Sequence, residues 1–278
     1  LCYKSILEEK EYKPMNHEPL LSIIVANYNN RDYIEECLDS ILDQTFQNIE
    51  IVVSDDLSTD DSPAIIKQYM KKYPLKVTGI FNPINRGIAK NRETAIVQAK
   101  GAYITTLDSD DYYYDPHKLE KEMELVLQYK EKNRDIIAFS NIALVKGDKT
   151  LICIWGNQSN IKEGKILNPI IGRCCLIPRD FIMKKEAYFA VGGYDAQFDI
   201  YEDWDLKIRL AYHYEYYYSG VNGTAYRRHG KGLSSLPTRE NIEWLERVFQ
   251  KNLHLVEEDQ EETVSRSFHR YIEEMNLK

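Results

Sequence analysis

The sequence predicts an α/β fold with a mostly parallel central sheet, helices on both faces and a C-terminal helical tail. Three observations point there. First, short runs rich in β-branched residues have the composition of buried strands: LSIIVA (21–26), IEIVV (49–53), LKVTGIF (75–81) and AYITTL (102–107). Second, segments of helical period separate these runs, and such alternation implies parallel strands joined by crossover helices. Third, each run ends in a polar cluster: NYN, SDD, NRG and DSDD in turn. Right-handed crossovers bring those four ends to one edge, where open α/β sheets bind their ligands.

The elements follow in order. IEECLDSILDQ places Ile34, Leu38, Ile41 and Leu42 on one helical face. Asp60 or Asp61 can cap the next helix, about 63–73, whose first turn takes Pro63. A third helix over about 88–99 stops at Gly101, a C-terminal cap. Beyond DSDD the pattern predicts a helix at about 116–132 and a strand IIAFSNIALV. Gly147-Asp148 reads as a hairpin turn before LICIW. Residues 155–180 read as irregular. EDWDLKIRLAYH reads as a helix with Leu206, Ile208 and Leu210 inward, and EYYYSG as a strand. From about 238 to 278 the chain is charged and helical, with an apolar stripe of Ile242, Leu245, Val248, Phe249 and Leu253. The expected organisation is therefore an arm (1–19), one domain (20–237, in halves 20–112 and 113–237) and a helical extension (238–278).

Composition narrows the function. The 278 residues carry a formal net charge of −8 and are 43% hydrophobic and 29% charged. That is an ordinary globular balance with no basic face, so nucleic acid is not an expected partner. No run approaches the roughly 18 apolar residues of a membrane span. The opening twenty residues lack the apolar core of a signal peptide and read as a lead-in arm. The five cysteines, Cys2, Cys37, Cys153, Cys174 and Cys175, show no framework spacing and fit a reducing compartment.

Asp108, Asp110 and Asp111 carry the chemistry. An exposed acidic turn is the ordinary reading of such a cluster. Here an apolar strand delivers it to the ligand edge, where packed carboxylates repel one another and a hard divalent cation relieves the repulsion. Mg²⁺ typically takes one or two carboxylates and completes its shell with substrate phosphates. Asp55 and Asp56, after IEIVV, are positioned to accept from a base N–H or a ribose hydroxyl.

SIIVANYN, VVSDDLSTDDS, NRGIAKNR, TTLDSDD, GGYDAQF and EDWDLKIR, in that order over about residues 20–232, resemble the motifs of family 2 glycosyltransferases. Each motif is weak alone; six in order are specific. The resemblance implies a Rossmann-like GT-A fold and transfer of a sugar from a nucleotide-diphospho-sugar, most simply a UDP-sugar, with Mn²⁺ or Mg²⁺. It implies that Ala26 and Tyr28 hold the base and that Asp56 binds its imide. It assigns Asn85, Gly87, Arg92, Asp108 and Ser109 to the donor, with Arg92 near the diphosphate. Asp110, Asp111 and His229 fall to the metal, and Gly193, Glu202 and Trp204 to the acceptor side. Asp203 becomes the general base. The chain departs from the family pattern at Asn91 and Glu93. Arg227, Arg228 and Lys231 are candidates to neutralise phosphate.

An inverting transfer needs one carboxylate to take the acceptor proton, while a metal stabilises the departing nucleoside diphosphate. The acceptor is expected to be a glycan or lipid-linked hydroxyl in surface polysaccharide synthesis. The expected location is cytoplasmic, with peripheral contact at the inner membrane face and self-association through the C-terminal helix both open. The competing readings are a polyprenyl-phosphate sugar transferase and a catalytically silent sugar-nucleotide-binding module.

Overall fold

A computed structural model describes residues 19–155, 161–175, 177–229 and 238–276. The arm expected at 1–19 falls almost wholly outside them. The first half alternates as anticipated: β1 (Leu21–Asn27), α1 (Ile34–Leu42), β2 (Ile49–Asp55), α2 (Ser62–Lys72), β3 (Val77–Phe81), α3 (Ile88–Gln98) and β4 (Tyr103–Asp108). β1 and β2 are buried along their whole length, which explains their unbroken apolar character. Helix α2 starts as expected. Pro63 occupies the first turn, and the Asp60 carboxylate accepts the Ser62 N–H at 2.9 Å.

The second half adds β5 (Tyr112–Tyr113), α4 (Lys118–Lys130), β6 (Ile136–Lys146), β7 (Leu151–Ile154), α5 (Leu167–Ile171), β8 (Met183–Lys184) and α6 (Lys185–Ala190). Then come α7 (Glu202–His213), β9 (Glu215–Arg228), α8 (Thr238–Asn252) and α9 (Glu261–Asn276). The main sheet has the order β3-β2-β1-β4-β8, parallel except for β8. A second sheet has the order β5-β9-β6-β7. Its centre is a long parallel pairing of β6 with β9, residues about 80 positions apart.

Two apolar clusters sandwich the main sheet. One gathers residues of α1, α2 and α4; the other gathers residues of α3, α5, α6 and α7. The C-terminal stripe joins the second cluster. Leu245, Val248 and Phe249 are buried there, and the Phe249 ring lies parallel to Phe268 at 4.1 Å. The apolar surface that made self-association through this helix an expectation is therefore used within the chain. No helix among the described residues is long and apolar enough to cross a membrane.

Candidate active site

The parallel register fixes the site. Asn27 is level with Asp55, and Ala26 is level with Asp108, so the ends of β2, β1 and β4 lie side by side. At roughly 4.8 Å per strand, the β2 and β4 ends are about 10 Å apart, within reach of one nucleotide. One carboxylate oxygen from each of Asp108, Asp110 and Asp111 lies within 4.8 Å of the others.

Three cations hold this acidic edge. Arg92 is buried on α3 and bonds Asp108 through Nη2 at 2.6 Å and Glu202 through Nη1. Arg179 reaches Asp108 Oδ2 through Nε at 2.8 Å and Asp111 through Nη2. Lys207, one turn along α7, bonds Asp203 Oδ2 at 2.7 Å and donates to the Ile177 carbonyl at 2.9 Å. The result is a chain of alternating charge, Glu202–Arg92–Asp108–Arg179–Asp111, with Asp203 beside it. Burial pushes Asp108 up, but Arg179 and Arg92 outweigh it and leave the carboxyl below its ordinary value. Burial likewise opposes ionisation of Asp203, and Lys207 reverses this, holding the acid well below the usual carboxylate range.

Asp110 differs from its neighbours. Its Oδ2 lies 3.0 Å from His229 Nε2, and the His229 ring stacks on Tyr33 at 5.1 Å. This pair offers one oxygen and one nitrogen ligand at the strand edge. Such a donor set, completed by phosphate oxygens and water, suits Mn²⁺ or Mg²⁺. Asp111 accepts the Arg227 N–H at 2.7 Å on Oδ1 and Arg179 on Oδ2, so it supports the site and is not an open ligand.

Several of the expected site residues already have protein partners. Arg92, expected near the diphosphate, is a buried strut between Asp108 and Glu202. Glu202, expected on the acceptor side, is 5% exposed and committed to Arg92. Trp204 is core: it is 2% exposed, and its Nε1 donates to the Ile170 carbonyl at 3.0 Å. Ser109 is buried, and its hydroxyl accepts from Asn30 Nδ2 at 2.8 Å. Asp56 is also engaged. Both its oxygens accept backbone N–H groups, from Arg86 at 3.0 Å and Gly87 at 2.9 Å, and Asn82 adds a third donor at 3.2 Å. Arg227 is buried against Glu36 and the Asp110 carbonyl, away from the role of a free phosphate partner. Lys231 lies outside the described residues.

The remaining expectations concern shape. Gly87 opens α3 with φ of 78°, a conformation that suits glycine, and Asn85 Oδ1 accepts its N–H at 3.2 Å. Gly193 has φ of 67°, and a Cβ there would lie 2.8 Å from the Tyr188 ring. Ala26 receives the Ser109 N–H on its carbonyl at 3.2 Å, whereas Tyr28 is half exposed. Tyr201, just before Glu202, takes a left-handed φ of 62°, so the chain turns sharply into the acidic start of α7. Sequence reasoning missed Arg179 and Lys207. Arg179 sits in a stretch read as irregular, and Lys207 has the i, i+4 spacing to Asp203 that could have revealed it.

Comparison with known proteins agrees with this architecture. Residues 22–156 match the model of glycosyl transferase family 2. The chain carries a family 2 glycosyltransferase domain. A putative teichuronic acid biosynthesis glycosyltransferase TuaG of Bacillus subtilis is 34% identical over 159 residues, covering 56% of this chain and 61% of that one. An uncharacterized glycosyltransferase of Haemophilus influenzae is 43% identical over 140 residues, 50% of this chain and 51% of its own. The chain thus spans about three-fifths or less of these relatives. Among solved structures, S. aureus TarS 1-349 in complex with UDP superposes with a TM-score of 0.67 at 19% identity, over 89% of this chain and 70% of that one. The mannosyltransferase PcManGT from Pyrobaculum calidifontis, in complex with GDP-Man and Mn²⁺, gives 0.62 at 19% identity, over 85% and 65%. The fold is GT-A.

Proposed function

We propose that this protein is an inverting, metal-dependent glycosyltransferase. It moves a sugar from a nucleotide-diphospho-sugar, a UDP-sugar by preference, to a hydroxyl of a glycan or lipid-linked acceptor in surface polysaccharide synthesis. The observation that carries the reading is that Asp203 lies close enough to act electrostatically on Asp108, whose carboxylate clusters with that of Asp110, the partner of His229. Relatives support the details. TarS has been solved with UDP and with UDP-GlcNAc, PcManGT with GDP-Man and Mn²⁺, and TuaG carries a polysaccharide name.

In this mechanism Asp203 accepts the acceptor hydroxyl proton as that oxygen attacks the anomeric carbon. The bond from that carbon to the diphosphate oxygen breaks, and its electron pair leaves with the nucleoside diphosphate. The proton ends on Asp203. Bound Mn²⁺ or Mg²⁺ would supply charge stabilisation to the departing diphosphate. Asp110 and His229 would hold it, with Asp108 and Asp111 in support. Lys207 keeps Asp203 ionised and oriented, and a quarter of the Asp203 side chain stays exposed to meet an acceptor. Tyr28, half exposed beside the β1 end, is the ring available to a base.

A thermal-shift screen of nucleotide sugars, with and without Mn²⁺, tests the reading. A ligand at a hundredfold excess over its dissociation constant stabilises by about 2.7 kcal/mol. A Mn²⁺-dependent shift with one nucleoside diphosphate class is expected. No shift with any nucleotide sugar, with or without metal, would overturn the assignment.

A further inference from the structure

Arg179 lies outside every motif that pointed to the site, yet it touches two of the three clustered acids. Its Nε is 2.8 Å from Asp108 Oδ2, and its Nη2 bonds Asp111 Oδ2. Its backbone is pinned: the Arg179 N–H donates to Tyr226 Oη at 2.9 Å, and its carbonyl accepts from Thr106 Oγ1 at 2.9 Å. The guanidinium also stacks on the Tyr226 ring at 4.2 Å. Tyr226 is in turn fixed by Asp180, which accepts its hydroxyl at 2.7 Å. A pinned main chain thus carries a side chain that is still 26% exposed. The head group can leave the acids without the backbone moving.

Electrostatics says what such a group does. Asp108, Asp110 and Asp111 together would attract a divalent cation strongly from solution. A fixed positive charge bonded to two of them cancels much of that attraction, because charges a few ångströms apart interact strongly at a partly buried site. A nucleoside diphosphate reverses the balance, since its phosphates add negative charge and ligand oxygens and give the guanidinium another partner.

We infer that Arg179 is an internal counter-ion that makes cation binding at Asp110 and His229 conditional on the donor's diphosphate. The inference rests on the metal-dependent reading above. It implies ordered assembly: the free protein holds the metal weakly, and metal and nucleotide tighten one another. Linkage makes that tightening equal in both directions. Arg179 is a positioning residue, acting through the acids that surround the metal pair.

The test is calorimetric titration of Mn²⁺ into the full chain, with and without saturating UDP, for wild type, Arg179→Gln and Arg179→Lys. UDP is expected to tighten Mn²⁺ at least tenfold in wild type. Arg179→Gln should bind Mn²⁺ alone at least tenfold tighter than wild type and gain less from UDP. Arg179→Lys, which keeps the charge, should stay near wild type. Damage to the fold would weaken Mn²⁺ binding, so a gain cannot come from a structural role. Unchanged or weaker Mn²⁺ binding in Arg179→Gln overturns the inference, as does a wild type whose Mn²⁺ affinity ignores UDP. Where the glutamine variant does not fold, a wild type whose Mn²⁺ affinity ignores UDP still overturns the inference, and the charge-keeping Arg179→Lys still has to match wild type. Wild type that binds Mn²⁺–UDP, with no gain in Arg179→Gln, overturns only the counter-ion. Wild type that binds no Mn²⁺ under either condition overturns the metal reading as well.

Discussion

Arg92 and Glu202, 110 positions apart in the chain, form a buried ion pair that ties the end of β4 to the start of α7. Arg92 completes the tie through its 2.6 Å bond to Asp108. Removing one member of a buried ionic group leaves charge without a partner, typically costing about 3–5 kcal/mol. Arg92→Met is therefore expected to lose that much stability by urea unfolding. Arg92→Lys should recover only part of it, since a single ammonium cannot span two carboxylates as a planar fork does. A stability within 1 kcal/mol of wild type for Arg92→Met would show that the strut carries no weight.

Asp203 and Lys207 predict a pH profile. On the proposed mechanism turnover requires Asp203 ionised, and Lys207 holds it below the usual carboxylate range. The acid limb of kcat should therefore lie below the ordinary pKa of a carboxylate. Lys207→Met removes the pull, so the limb should move toward neutral pH. Asp203→Asn should lower kcat by about 10²-fold or more, the scale of general-base catalysis, with UDP affinity nearly unchanged. A limb that stays put in Lys207→Met would detach Lys207 from the reacting carboxylate.

Much of the first half was legible in the sequence. Buried parallel strands must be apolar on both faces, and the four runs announce themselves for that reason. The ligand edge followed from topology alone. The second sheet was legible only in part: β6, β7 and the start of β9 read as strands. β5, like β8 of the main sheet, is two residues, too short to carry a period, and β9 continues well past the EYYYSG that revealed it. Among site residues, a carboxylate's type was visible but its partner was not. Asp56 reads as a base acceptor, but the hydrogen bonds it also accepts from the backbone N–H groups of Arg86 and Gly87 could not be read. Asn91, where the chain departs from the expected pattern, accepts from Asn82 at 3.0 Å and donates to the Asn27 carbonyl at 3.3 Å. Such long-range pairings leave no local periodic trace.

Glu122 predicts a dependence of stability on pH. It is fully buried on α4, where Lys118 Nζ bonds both its oxygens at 2.8 Å. Burial raises its pKa to about 7 from an ordinary 4.5, with Lys118 offsetting part of the rise. The folded state thus keeps a proton that the unfolded chain has released. The Glu122 contribution is complete below about pH 4.5 and is lost as pH rises through about 7. Glu122→Gln should flatten the fall in Tm across that window. Parallel Tm–pH curves for the two proteins would contradict it.

The C-terminal helices predict a stability effect far from the chemistry. Phe249 is 1% exposed and lies parallel to Phe268, which stacks in turn on Trp204 at 6.1 Å. Phe249→Ala should cost about 3–5 kcal/mol, as for other buried aromatic truncations. Because Trp204 lies in the same helix as Asp203, kcat should fall too as that helix loosens. A fully active Phe249→Ala protein with an unchanged melting temperature would separate the tail from the site.

The pairing of β6 with β9 has a consequence for biosynthesis. A nascent chain exposes Asp108, Asp110 and Asp111 long before Arg179, Glu202 and His229 leave the ribosome. Arg179 follows Asp111 by 68 residues and His229 follows Asp110 by 119, so at first only Arg92 is at hand among these partners, and β6 lacks its central neighbour. Assembly of the catalytic edge is therefore a late event that waits for distant strands to meet. Such non-local closure is slow.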